Sequence, residues 1–121
     1  MGKVILVVED SSTMRQMVGF TLKRNGYEVI EAVDGNDALE KINGEQLHMI
    51  ITDVNMPNMD GIEFVRQVRA KPECKFVPVI MLTTESQEAK KNEGRAAGAT
   101  GWIVKPFNPE HLMAVVNKVI G

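Results

Sequence analysis

The sequence predicts an α/β fold: a three-layer, doubly wound (βα)5 unit built on a five-stranded parallel sheet. Short apolar runs alternate with segments of helical periodicity along the whole chain. Several runs are continuous rather than alternating, as in strands buried on both faces of a parallel sheet. Strands separated by helices imply right-handed crossovers and therefore parallel pairing. With 121 residues, 44% of them apolar, residues 1–121 read as one domain with one sizeable core. The pattern does not fix the strand order.

The first run is Val4 to Val8. Ser11 or Ser12 can cap the helix that follows, with Met14, Met17, Val18 and Leu22 on its inner stripe and Asn25-Gly26 stopping it. The second run is Val29-Ile30 with Ala32-Val33, and Asp34-Gly35 turns into a helix carrying Ala38, Leu39 and Ile42. The third run, Met49 to Ile51, leads through Thr52 to Asp53. Asp60 followed by Glu63 resembles a capping box for a helix with Ile62, Val65 and Val68 inward. Val79 to Leu82 is the fourth strand. The helix after it, around residues 86–97, is poorly amphipathic. Trp102 to Val104 is the fifth strand, and Asn108-Pro109 opens the last helix, where Leu112, Val115, Val116 and Val119 recur at helical spacing.

All strand C-termini of a parallel sheet share one edge, where such folds usually bind ligands. Glu9 and Asp10 follow the first strand, Asp53 the third, Thr83 the fourth and Lys105 the fifth. Two carboxylates ~5 Å apart at an effective dielectric of ~20 repel by roughly 3 kcal/mol, so three mutual pairs approach ~10 kcal/mol, comparable with the whole stability of a small domain. Such a cluster can protonate, splay toward water or bind a cation, and one lysine cannot neutralise it alone. Oxygen donors select hard cations, Mg²⁺ first and Mn²⁺ as a substitute. A metal-paired carboxylate can act as a nucleophile toward phosphorus, with Lys105 offsetting phosphoryl charge and Thr83 donating a hydrogen bond. No histidine is placed as a general base, since His48 precedes the third strand and His111 lies in the last helix. Taken singly, Glu9-Asp10-Ser11-Ser12 is ordinary helix-start chemistry and Asp53 a turn cap. The joint pattern at four strand exits carries the inference.

Composition narrows the class further. Net charge is −2 with both signs interspersed, so the basic footprint of a nucleic-acid binder is missing. No apolar run reaches the roughly 18 residues of a membrane span, and no signal peptide is read at the N-terminus. The lone cysteine, Cys74, fits a reducing cytoplasm.

The motifs "VVEDSS", "ITDVNMPNMDG", "MLTTES" and "GWIVKPFNP" together resemble the receiver domain of two-component response regulators, nearest to its single-domain chemotaxis members. The resemblance covers essentially the whole chain. It implies the flavodoxin-like strand order 2-1-3-4-5, of which chemotaxis regulators are themselves a familiar example. It implies that Asp53 is the phosphoacceptor, that Asp10, Asp53 and the Asn55 carbonyl bind Mg²⁺ directly, and that Glu9 acts mainly through water. Thr83 and Lys105 would hold the phosphoryl group, and the Lys105-Pro106 peptide would be cis. The donor would be the phosphohistidine of a histidine kinase of the CheA type, with small acyl phosphates as substitutes. Expected partners are a flagellar motor switch protein and a phosphatase, with the chain a cytoplasmic monomer lacking an output domain. Met56 and Met59 are candidate kinase contacts.

Two departures stand out. Glu9 occupies a position where many relatives have Asp, and Trp102 one where Tyr or Phe is usual. Trp102 reads either as a static packing aromatic or as a ring that turns inward when Thr83 moves. Two further classes compete. Aspartyl-phosphate phosphatases generally place a second Asp two residues after the nucleophile, where this chain has Asn55. A flavin-binding electron carrier would need a neutral, hydroxyl- and glycine-rich loop where Glu9 and Asp10 stand. Within the regulators, a phosphorelay intermediate or phosphate sink is the alternative to a motor regulator.

Overall fold

A computed structural model describes residues 2–83, 88–105 and 108–121. Along the chain run β1 (Val4–Val8), α1 (Ser12–Arg24), β2 (Glu28–Ala32), α2 (Gly35–Ile42), β3 (Met49–Asp53), α3 (Gly61–Arg69), β4 (Val79–Thr83), α4 (Glu88–Ala97), β5 (Gly101–Val104) and α5 (Pro109–Ile120). The five strands are parallel and ordered β2-β1-β3-β4-β5. The expected three-layer fold and strand order are both found.

Side-chain alternation explains why the apolar runs are unbroken. Ile5 and Val7, Met49 and Ile51, Ile80 and Leu82 point to one face, where Val18 and Leu22 of α1 and Leu112, Met113 and Val116 of α5 cover them. Leu6 and Val8, Ile50, Val79 and Met81 point to the other, under Ala38 and Ile42 of α2 and Ile62, Phe64, Val65 and Val68 of α3. Each strand therefore feeds two cores. Phe64 is fully buried, a burial that contributes about 1.5–3 kcal/mol on its own.

The helix starts follow their capping residues. Ser11 accepts from the Met14 amide (3.3 Å), Asp34 from the Asp37 amide (2.8 Å), Asp60 from the Glu63 amide (2.8 Å) and Asn108 from the His111 amide (2.7 Å). Each oxygen satisfies an amide that the helix cannot.

Three details differ from the sequence reading. Met17 is 37% exposed rather than core, because α1 meets the sheet along Val18 and Leu22 while Met17 lines an open groove between α1 and α5 with Phe20 and Met113. Val33 falls past the end of β2 and is 47% exposed. A 3-10 turn at Pro72–Cys74, not expected, links α3 to β4. It is held by Arg69, whose Nη1 donates to the carbonyls of Cys74 (2.8 Å) and Val77 (2.7 Å). The same guanidinium donates through Nε and Nη2 to the Gly98 carbonyl just past α4, at 3.1 and 2.8 Å. Residue 86, placed near the start of the fourth helix, and the Lys105-Pro106 peptide lie outside the described residues.

Candidate functional site

The strand register delivers the polar residues to one edge. Val8 lies opposite Thr52, Asp53 opposite Leu82, and Thr83 opposite Val104. Glu9 and Asp10 leave β1, Asp53 and Thr83 end β3 and β4, and Lys105 leaves β5 within about one residue of a common level. Carboxylate oxygens of Glu9, Asp10 and Asp53 all lie within 4.8 Å of one another. Glu9 and Asp53 are buried and Asp10 is exposed, so the cluster opens to solvent through Asp10.

Lys105 enters from the far side. Its ammonium lies 2.9 Å from Glu9 Oε1 and 3.2 Å from Asp53 Oδ2. Desolvation pulls the Lys105 pKa down, but the Glu9 and Asp53 carboxylates outweigh it and hold the ammonium above its ordinary range. Asp10 is pushed above the usual carboxylate range, first by partial burial and then by the hydrogen bond and negative charge of Glu9.

Backbone donors fix the carboxylates. The Val54 amide donates to Asp53 Oδ1 (2.8 Å), and the Ser11 amide to Glu9 Oε2 (3.1 Å). Arg15 Nη1 donates to the Glu9 carbonyl (2.7 Å). The loop after Asp53 is drawn shut: the Gly61 amide donates to the Val54 carbonyl at 2.8 Å. A Cβ at Gly61 would stand 2.1 Å from the Asp53 carbonyl oxygen, so only glycine admits this approach. Asn58 takes a left-handed conformation (φ 71°) in that loop and donates to Asp34 Oδ2 at 3.2 Å. Sequence reasoning missed Arg15, Gly61 and the amide donors.

The remaining candidates are placed as follows. Asn55 is exposed, two residues past Asp53. Thr83 is buried at the end of β4. Trp102 is half-buried on β5 opposite Met81 and packs against the α2/α3-side core. Met56 and Met59 also pack partly against that core. Three convergent carboxylates on a solvent-open edge form the donor set that a hard divalent cation takes, and the residues present fit such an ion.

Residues 5–117 match the family described as the response regulator receiver domain. The chain belongs to that family. As a receiver domain it is 44% identical to the chemotaxis protein CheY1 of Helicobacter pylori (strain J99) over 119 residues, covering 97% of this chain and 96% of the relative. It superposes on the chemotaxis response regulator CheY4 of Vibrio cholerae with TM-score 0.94 and 51% identity, covering 98% of this chain and 99% of the other. It also matches the receiver domain of the sensor histidine kinase PA1611 of Pseudomonas aeruginosa (TM-score 0.92, 28% identity, 100% of this chain and 99% of the other), a structure described with a magnesium ion coordinated in its active-site cleft. This is a CheY-like receiver domain of a response regulator, consistent with chemotaxis. Among the described residues no helix is long and apolar enough to cross a membrane.

Proposed function

We propose that this receiver domain accepts a phosphoryl group on Asp53 from the phosphohistidine of a CheA-type histidine kinase and signals by phosphorylation-dependent protein binding. One observation carries the reading: Glu9, Asp10 and Asp53 converge within 4.8 Å while Lys105 reaches into the same cluster. Glu9, Asp10 and Asp53, with the Asn55 carbonyl, would hold Mg²⁺, with Mn²⁺ as a substitute. When bound, the ion supplies positive charge that offsets the charge of the incoming phosphoryl group.

Asp53 Oδ2 forms the new bond to phosphorus as the phosphorus–nitrogen bond of the phosphohistidine breaks. The departing imidazole nitrogen keeps the bonding pair. The Val54 amide holds Oδ1 and orients the carboxylate, leaving Oδ2 on the side of Lys105. Lys105 stabilises charge on the transferred group. Thr83, at the end of β4, would hydrogen-bond the phosphoryl oxygens, and its movement would open space for Trp102. The chain thus assists its own phosphotransfer, and hydrolysis of the aspartyl phosphate is slow. The Asn55 side chain offers no general acid or base where a phosphatase would have a second Asp.

The partner reading follows the relatives, two of which are described as chemotaxis proteins. It is a flagellar motor switch protein reading the α4, β5 and α5 surface of a cytoplasmic monomer. The match to a receiver domain from a sensor histidine kinase supports the second reading, a phosphorelay intermediate or phosphate sink. The deciding experiment is labelling by a small acyl phosphate with Mg²⁺. Asp53→Asn should keep the fold and take up no phosphate, and stoichiometric labelling of that variant at the normal rate would refute the assignment. A comparison of phosphorylated and unphosphorylated protein against kinase, motor-switch and phosphatase proteins separates the partner readings.

A further inference from the structure

The geometry points to Gly94 as the residue that seats the Trp102 indole, making the ring position and the position of α4 a single variable. Gly94 lies inside α4, where glycine is a poor helix former. It is buried and is not among the residues with positive φ, so backbone freedom does not account for it. A Cβ at Gly94 would stand 2.3 Å from Trp102 Cη2, 2.9 Å from Cζ2 and 3.1 Å from Met81 Sδ. The far edge of the indole therefore rests on the bare helix backbone, with Met81 of β4 beside it.

Strand alternation places this contact next to the phosphoryl chemistry. Met81 and Thr83 are two apart in β4, so they share a face, and their partners Trp102 and Val104 share it too. The ring and Thr83 thus lie on one face of the sheet, the face on which Gly94 of α4 meets Trp102 and Met81. A rigid ring in contact with helix backbone cannot turn outward without emptying the gap, and the helix cannot close the gap while the ring stays. Gly94 is a positioning residue for the switch, and this role rests on the reading of Thr83 and Trp102 as its moving parts.

A stability cycle tests the seat separately from the switch. Gly94→Ala should lower the urea midpoint in the wild-type background, because the new methyl meets the ring. In a Trp102→Ala background the same change should raise the midpoint, because alanine is the better helix former once the ring is gone. A Gly94→Ala chain that fails to fold but is rescued by Trp102→Ala gives the same answer. Equal shifts of one sign in both backgrounds would overturn the proposal. In folded Gly94→Ala, Trp102 emission should shift to the red with greater acrylamide quenching, and unchanged emission would also overturn it. Beryllofluoride with Mg²⁺ then reads the switch: displaced emission together with unaltered beryllofluoride affinity would refute the coupling and leave the packing contact intact.

Discussion

Lys105 and Glu9 form an ion pair across the C-terminal edge of the sheet, 2.9 Å between Nζ and Oε1, with side chains only 12% and 1% exposed. Buried pairs of this kind are costly to break from one side, because the surviving charge is left without compensation. It is the Glu9 side chain, leaving β1, that makes this contact with the lysine that leaves β5.

Replacing Lys105 by Met should therefore destabilise the protein in chelator by about 3 kcal/mol, the cost of orphaning a buried carboxylate. Added Mg²⁺ should restore most of that loss and should bind several-fold more tightly than to wild type, since the competing ammonium is gone. Urea denaturation with and without Mg²⁺ measures both. A loss that Mg²⁺ leaves untouched would separate Lys105 from the metal cluster. In wild type the raised Lys105 pKa contributes stability in full below its ordinary value of 10.5, and this is lost only as pH rises through the raised value.

Asp10 behaves in the opposite sense near neutral pH. Its folded pKa lies above the ordinary 3.8, so its contribution favours the fold below that value and is lost as pH rises through the raised pKa. At pH 7 the ionised Asp10 thus opposes folding of the metal-free chain. Asp10→Asn should stabilise the protein in chelator by about 0.5 kcal/mol, a small gain because this carboxylate is exposed and screened. The gain should vanish as pH falls toward the carboxylate range, and Mg²⁺ should no longer stabilise the variant. Thermal melts across pH with and without Mg²⁺ provide the check. A destabilised variant in chelator at pH 7 would contradict the prediction.

Gly61→Ala should cost about 3 kcal/mol, the upper end of what overpacking brings, because the added methyl meets the Asp53 carbonyl oxygen and the Val54 backbone. The strain falls on the residue whose amide holds Asp53 Oδ1. Phosphorylation by an acyl phosphate should slow as well, beyond what the unfolded fraction explains. A variant of unchanged stability would show that the loop closes in another way.

Much of this architecture was legible in the chain itself. Unbroken apolar runs such as Val4 to Val8 follow from burial on both faces, and Ser11, Asp34, Asp60 and Asn108 marked helix starts through hydrogen bonds that their neighbours supply. Strand order was not legible from pattern, because several runs share the same both-face character. Strand exits located Glu9, Asp10, Asp53, Thr83 and Lys105, but not which carboxylates Lys105 would choose. The Val54 and Ser11 amides could not be read, since a backbone donor has no residue identity. Gly61 and Gly94 could not be read because the reason for each is an atom that only the fold brings against it, a carbonyl in one case and an indole edge in the other.

The Arg69 clasp on the Gly98 carbonyl anchors the C-terminal end of α4, so any tilt of the helix would have its fulcrum there. At about 1.5 Å rise per residue, the Glu88 end stands roughly 15 Å from that fulcrum, so a tilt of about 10° sweeps it through about 2.6 Å and moves Gly94 by only about 1 Å. A small displacement at the indole is thereby matched by a larger one at the end of the helix away from the clasp.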